Sequence, residues 1–362
     1  MKKIAFLNNA SAKSGVGHHA SELKKALHPL LQRNEIILDE VYFNGQNRFF
    51  KKTIPWIQQG LFFLAQQAAR YNLVHATNQT LSFALPKKRP SIVTVHDIIE
   101  LLEPQQNLSR IVARYMYSGI KRASHIISVS DYTKKTIQDY YNIPAEQITV
   151  IPNGLSSNFK QILDFKNTVG FQSLQRELKL LPQNKIILYV GSDHIRKNVL
   201  TALHAFAEVK KQLPEAIFLK VGEPGIPAGR ALLLAEIDQL NLRESIHFIG
   251  SVSPERLNEL YNLADVFIFP SRFEGFGLPP LQAMAAGTPV VASKATSLPE
   301  VIGEGGVLHD PEDTESFAKT MVKILTDAVY AEQLRYQGFQ QAQKFSWLKA
   351  AQETLHVYQK LV

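Results

Sequence analysis

Twelve short apolar runs, each ending in turn residues and separated by amphipathic stretches, constrain this 362-residue chain more than any other feature. Six lie at 4–7, 41–43, 73–75, 92–95, 126–129 and 149–151, and six more at 186–190, 217–221, 246–249, 266–269, 289–292 and 307–309. Near-continuous Val/Ile/Leu runs mark strands buried on both faces, the habit of parallel sheets. The stretches between them, such as 20–31 and 199–213, space apolar residues by three and four, the helical period. Strand–helix alternation builds doubly wound α/β sheets. Twelve strands are too many for one comfortable open sheet, so the pattern predicts two. The patterning is weakest over 156–181, after the turn signal Pro152-Asn153-Gly154 and before Pro182. This places a first domain at 1–165, a linker region at 166–181, a second domain at 182–345 and a terminal helix at 346–362. Ser346 should cap that helix, with Leu348, Ala351, Leu355, Tyr358 and Leu361 on its apolar face.

Composition narrows the function classes. With no cysteine, disulfide scaffolds, thiolate metal sites and cysteine nucleophiles are excluded together, which fits the cytosol. The basic start has only residues 4–7 as apolar core, so it reads as a strand and not as an export signal. No run is long and apolar enough for a membrane span. The net charge of +8 is uneven: residues 1–180 hold 23 Lys and Arg against 12 Asp and Glu. A basic half suits an anionic partner such as a membrane surface, or is solubility charge. Arg48-Phe49-Phe50-Lys51-Lys52, with Trp56, Leu61, Phe62 and Phe63 beyond, reads either as an interfacial segment or as the buried side of a helix. Lys and Arg are not interleaved with aromatics into a nucleic-acid motif, so no nucleic-acid partner is expected.

The most informative segment runs from 271 to 287, SRFEGFGLPPLQAMAAG, after a strand and into a helix. Pro279 and Pro280 suit a first helical turn, and Gly275 and Gly277 let backbone approach a ligand. The free amides there form an anion site, while Glu274 and Gln282 can face one bound ligand. A carboxylate beside an anion site points to hydroxyl binding. A second segment, Gly191-Ser192-Asp193-His194-Ile195-Arg196-Lys197-Asn198, follows the run at 186–190, and strand, turn, helix start and cations together suit a diphosphate. His96 and Asp97 end another strand, and Ser14-Gly15-Val16-Gly17 opens a helix after the first. The last is no dinucleotide fingerprint, since the third glycine and the following acid are missing, which removes an NAD-dependent oxidoreductase.

The 271–287 segment resembles the Glu-x7-Glu signature of retaining glycosyltransferase family 4, mannosyltransferase-like members included. VTVHDII, SVSDYT, VIPNGL, GSDHIRKN, HFIGSVS, GTPVVASKATSLPE and FSW look like further landmarks of that family, in its order and over nearly the whole chain. The resemblance implies the GT-B fold: two Rossmann-like doubly wound parallel-sheet domains facing a central cleft, the first for the acceptor and the second for the donor. It implies metal-independent transfer of a sugar from a nucleotide diphosphate sugar, GDP- or UDP-linked, to an acceptor hydroxyl with retained configuration. No cofactor is expected beyond that substrate, and the chain carries no Asp-x-Asp. The setting implied is polysaccharide, lipopolysaccharide or glycolipid assembly, with a saccharide or lipid-linked acceptor. The protein would be cytoplasmic and peripheral at the inner face of the membrane.

By the same resemblance Glu274, His96, Lys197 and Arg196 are the catalytic set. Gly191, Ser192, Gly250, Val252, Gly275, Phe276, Gly277, Leu278 and Gln282 would bind donor and nucleotide, and Gly15, Val16 and Gly17 would form an acceptor and phosphate loop. Two departures stand out. Gln282 occupies the place of the second Glu, and Ser192 the place of a common Arg, leaving Arg196 as the substitute cation. They keep open an alternative, a non-catalytic nucleotide-sugar-binding subunit that supports an active partner.

Overall fold

The computed structural model describes residues 2–10, 15–43, 53–102, 108–225 and 227–362. The chain forms two compact units, Met1–Gly154 with Ser346–Val362, and Leu155–Phe345. In the first unit β1 (Lys2–Asn8), β2 (Ile36–Tyr42), β3 (Leu73–Ala76), β4 (Ser91–Val95), β5 (His125–Ser128) and β6 (Ile148–Val150) pair in the order β2-β1-β3-β4-β5-β6, all parallel. In the second unit β7 (Lys185–Val190), β8 (Ala216–Val221), β9 (Ile246–Ile249), β10 (Val266–Phe269), β11 (Val290–Ser293) and β12 (Val307–His309) pair in the order β12-β11-β10-β7-β8-β9, again all parallel. Both orders reverse direction once, as in doubly wound sheets, between β1 and β3 and between β7 and β10.

Both sheets are covered on both faces, which is why their strands read as continuous apolar runs. In β1, Ile4 and Phe6 join one core with the helix Gly15–Arg33 and the terminal helix, while Ala5 and Leu7 join another. The predicted run at 41–43 catches only the end of β2, whose body is the mixed segment IILDEVY with a half-exposed pattern. β2 is the edge strand, so the sheet demands less apolarity of it.

The region 166–181 is not a free linker. Residues 155–181 belong to the second unit, and 169–177 is a helix capped by Thr168. Asn258 Oδ1 accepts from the Lys160 amide at 2.9 Å, and Asn262 Oδ1 from the Ile162 amide at 2.7 Å, both from the helix Pro254–Leu263. The first unit correspondingly ends at Gly154, not at 165. A Cβ on Gly154 would come within 2.2 Å of the Trp347 amide, so only glycine allows the terminal helix to start where it does.

That terminal helix, Trp347–Leu361, packs on the helix Gly15–Arg33 and on the first sheet. Ser346 caps it as the sequence predicts. Its buried stripe is Trp347, Ala350, Ala351, Thr354, Leu355, Val357 and Tyr358, and Leu348 is 53% exposed. Leu348 lies one residue, about 100°, round from Trp347, and the larger ring takes the docked position. Tyr358 reaches the buried His75 Nδ1 at 2.7 Å, tying the chain's end to β3.

Residues 48–52 lie outside the described residues. Beyond them Phe63 is buried and Trp56 packs against the core, while Leu61 and Phe62 are exposed. Burial therefore holds for part of that segment only. Among the described residues no helix is long and apolar enough to cross a membrane.

Candidate active site

In the second unit the loops after β7 and β10, the two strands on either side of the switch point, lie against each other. Carboxyl ends of strands at such a point are where open α/β sheets gather ligands. The Arg196 carbonyl accepts from the Arg272 amide at 2.8 Å and from Ser271 Oγ at 3.1 Å. Asn198, in the left-handed region at φ 54°, donates its amide to the carbonyls of Pro270 at 3.0 Å and Pro311 at 2.7 Å. The loop 191–198 is thus held by main-chain and amide bonds, and its charged side chains are left for other work.

Glu274 sits in the loop before the helix Leu278–Ala285 and is 8% exposed. Its amide donates to Thr296 Oγ1 at 3.0 Å, and Ser297 Oγ donates to the carbonyls of Glu274 at 2.9 Å and Phe276 at 2.8 Å. Gly277 has φ +116°, and a Cβ there would stand 2.7 Å from Leu298 Cδ2. The backbone angle requires glycine there, and any side chain would also displace the end of Leu298. Lys197 Nζ lies 2.6 Å from Glu274 Oε1, and Arg196 Nη1 lies 3.8 Å from Oε2 while donating to the Phe273 carbonyl at 3.0 Å. Two cations on one carboxylate leave a local charge of +1. The arrangement offers a carboxylate for hydroxyls and cations for an anion, side by side.

Gly191, Ser192, Gly250, Val252, Gly275, Phe276, Gly277, Leu278 and Gln282 all fall in this unit, at the ends of β7, β9 and β10. Gly275, Leu278 and Gln282 are part-exposed, and Phe276 is buried against Phe345. Tyr261 Oη donates to Gln282 Oε1 at 3.2 Å. That bond turns the amide's acceptor oxygen toward the protein, leaving Nε2 as a donor.

His96, Gly15, Val16 and Gly17 belong to the first unit. Gly15–Gly17 begin the helix Gly15–Arg33, and Ser14 lies outside the described residues. His96 Nε2 donates to the Thr77 carbonyl at 3.2 Å. A carbonyl accepts only, so Nδ1 is left as the bare acceptor of a neutral ring. Burial holds the His96 pKa down at about 4, despite the Thr77 bond that favours the charged form. The His96 carbonyl accepts from Thr133 Oγ1 at 3.3 Å.

Sequence reasoning missed two features. The first is His19. It is buried, its Nδ1 is 2.7 Å from Asn153 Oδ1, and its ring meets that of His96 edge-on at 4.7 Å between centroids. The second is the charged group of buried Asp193 and Lys220 with part-exposed Arg230. Its one signal in the sequence is a lysine inside the apolar strand AIFLKV. Among the described residues no group of three or more His, Cys, Asp or Glu could hold a metal ion.

Two family models match this chain. Glycosyl transferases group 1 covers residues 171–341, and Glycosyltransferase Family 4 covers residues 14–159. The serotype-specific mannosyltransferase WbdA of Escherichia coli is 31% identical over 280 residues, covering 75% of this chain and 34% of that protein. The chain thus spans about a third of the length of these WbdA relatives. The O-antigen chain mannosyltransferase B of Escherichia coli is 28% identical over 384 residues and covers 96% of both. Among solved structures, the sucrose-phosphate synthase of Thermosynechococcus elongatus superposes with a TM-score of 0.79 at 21% identity, covering 100% of this chain and 99% of that one. Anabaena Alr3699/HepE, in complex with UDP and glucose, gives 0.78 at 21% identity over 100% of both chains. With two parallel six-stranded sheets and both halves matched, the chain belongs to the GT-B glycosyltransferases of family 4.

Proposed function

We propose that this chain is a retaining glycosyltransferase that takes a sugar from a nucleoside diphosphate sugar and transfers it to an acceptor hydroxyl in polysaccharide assembly, with mannose as the sugar. The observation that carries this reading is the Lys197–Glu274 pair, 2.6 Å apart with Arg196 beside it at the switch point of the second sheet. The names of the relatives support mannose and an O-antigen type of acceptor, and the UDP complexes of Alr3699/HepE support a nucleotide donor.

In this reading Glu274 accepts hydroxyls of the donor sugar and holds its ring. Its ionised form favours positive charge at the anomeric carbon as the bond to the diphosphate breaks. Lys197 and Arg196 offset charge on the leaving diphosphate, and their excess of +1 over Glu274 is available before any ligand arrives. The acceptor oxygen bonds to the anomeric carbon on the face the diphosphate leaves, and its proton passes to the leaving phosphate. No protein base is needed. Gly250 and Val252 contact the base through backbone, Gln282 faces the ribose, and the neutral His96 accepts a sugar hydroxyl at Nδ1. Gly15, Val16 and Gly17 lie along the acceptor and phosphate path, and the basic first unit favours an anionic membrane surface.

Thermal shifts with UDP, GDP, ADP and dTDP, with and without magnesium, test the donor. One nucleotide should stabilise the protein, equally with and without the metal. Turnover of the matching sugar donor should then fall about 10²–10³-fold in Glu274→Gln and Lys197→Ala, the usual loss for one preorganised electrostatic group. Silence with all four nucleotides at millimolar concentration would sink the reading. A second reading, a nucleotide-sugar-binding subunit supporting an active partner, is favoured by Gln282 and its bond to Tyr261. Selective nucleotide binding without turnover would select it.

A further inference from the structure

We propose that Arg230 is an anion-binding residue for the donor's phosphates, supplying from the helix Pro227–Gln239 the cation that the loop after β7 lacks at Ser192. This deepens the donor reading above and rests on it for the identity of the anion.

The Asp193 side chain is fully buried, and its Oδ1 is 2.5 Å from Nζ of Lys220, which is 1% exposed. That pair is neutral in charge, since one buried carboxylate requires one buried cation, and Lys220 Nζ also donates to the Gly222 carbonyl at 3.1 Å. Yet Asp193 Oδ2 also accepts from Arg230 Nε. A second cation is not needed to neutralise that carboxylate. Asp193 serves Arg230, not the reverse: it fixes the guanidinium's inner edge. The guanidinium carbon lies 4.5 Å from the Phe248 ring centroid, so its plane is covered as well. No hydrogen bond from Arg230 Nη1 or Nη2 to a described residue is present, and the side chain is 23% exposed. Its outer fork is preformed. A rigid fork of N–H donors is the geometry that matches a phosphate bidentately.

Its place in the fold indicates which anion. Asp193 adjoins Ser192 in the loop that also carries Arg196 and Lys197. The Asp193 amide donates to the Pro224 carbonyl at 3.2 Å, closing that loop onto the turn after β8. Two glycines make the closure possible. Gly222 has φ +115° with the Gly191 carbonyl 2.8 Å from where a Cβ would be, and Gly225 has φ +74° with Ser192 Cβ at 3.2 Å. The two glycines thus permit the close turn, and the charge an arginine at position 192 would have brought enters from the following helix.

Calorimetric titration of the full chain and of Arg230→Gln and Arg230→Lys tests this, with inorganic pyrophosphate, GDP, UDP, guanosine and uridine as probes. Arg230→Gln should weaken pyrophosphate and the preferred nucleoside diphosphate by about tenfold or more, the ordinary worth of a charged hydrogen bond. Nucleoside affinity should not move, and Arg230→Lys should fall between. Unchanged pyrophosphate binding in Arg230→Gln, or equal losses for nucleoside and diphosphate, would overturn the assignment and leave a clasp that merely holds the helix. Should Arg230→Gln melt at low temperature, Arg230→Lys decides, because it keeps the charge and loses the fork. Nucleotide binding that ignores both substitutions sinks this inference alone. Pyrophosphate binding that needs Arg230, without any nucleotide binding, sinks the donor reading and leaves the anion site. A chain that binds neither probe sinks both.

Discussion

Acidifying the protein from pH 7 to pH 5 should weaken the first unit far more than the second. His75 lies wholly inside the first unit between Tyr358 Oη and Thr94 Oγ1, and burial holds its pKa down at about 3. His96 is held at about 4 by the same cause, and His19 well below its ordinary value by burial and the nearby His96. A histidine whose folded pKa is depressed contributes its full stability above the unfolded value of about 6.5 and loses it as pH falls toward the folded pKa. At pH 5 the unfolded chain has taken up these protons and the folded chain has not, so His75 and His96 each forfeit about 2 kcal/mol by linkage. The sum of about 4 kcal/mol is a large part of the ordinary 5–15 kcal/mol margin. With a urea slope of about 2 kcal/mol per molar, the midpoint should drop by about 2 M.

The assay is built into the sequence, because both tryptophans, Trp56 and Trp347, lie in the first unit. Urea titrations followed by tryptophan fluorescence at pH 7 and pH 5 therefore report that unit alone. In the second unit the lowered His247 and His309 are only half-buried, so screening shrinks their effect. Burial raises the Asp265 pKa there, so its folded form takes up a proton first and acid stabilises it. Exchange protection of β7 and β10 should therefore change little across the same range. His75→Gln should narrow the pH difference by about 2 kcal/mol, whatever it costs at neutral pH. A fluorescence midpoint that moves by less than about 0.5 M would refute the reasoning.

Gln282→Glu should tighten the preferred nucleoside diphosphate by about fivefold, because a carboxylate accepts where the amide's oxygen is already held by Tyr261, and calorimetry would read it. Gly277→Ala should cost the second unit about 2–4 kcal/mol in denaturant unfolding, from φ +116° and the 2.7 Å approach to Leu298 together. Lys197→Ala should destabilise that unit by about 1.5–3 kcal/mol, the worth of one charged hydrogen bond, because Arg196 still faces Glu274, and adding Glu274→Gln should recover part of the loss. No recovery in the double variant would show that the two side chains are not coupled.

Much of the fold was legible because burial on both faces of a parallel sheet writes itself into consecutive residues. The runs at 92–95, 186–190 and 266–269 lie in the interior strands β4, β7 and β10. The half-exposed edge strand β2 obeys that rule least and was caught only at its end. The region 156–181 carries no strand period, and so it read as a linker. What assigns it to the second unit is a set of amide bonds to Asn258 and Asn262, about 100 residues away, and such bonds have no local period.

The same division runs through the candidate site. Sequence alone determined the two sheets, the loops that carry Glu274, Arg196, Lys197 and His96, and the family these loops resemble, because strand, turn and helix start are local patterns. Tertiary structure decided which charges meet. Lys197 and Glu274 stand 77 positions apart and touch only because β10 crosses to lie beside β7. Asp193 finds Lys220 on the neighbouring strand β8 and Arg230 on the helix after it, which fixes a guanidinium no motif announced. Periodicity records what each segment buries. Partnership between charges depends on strand order, and strand order exists only once the sheet has formed.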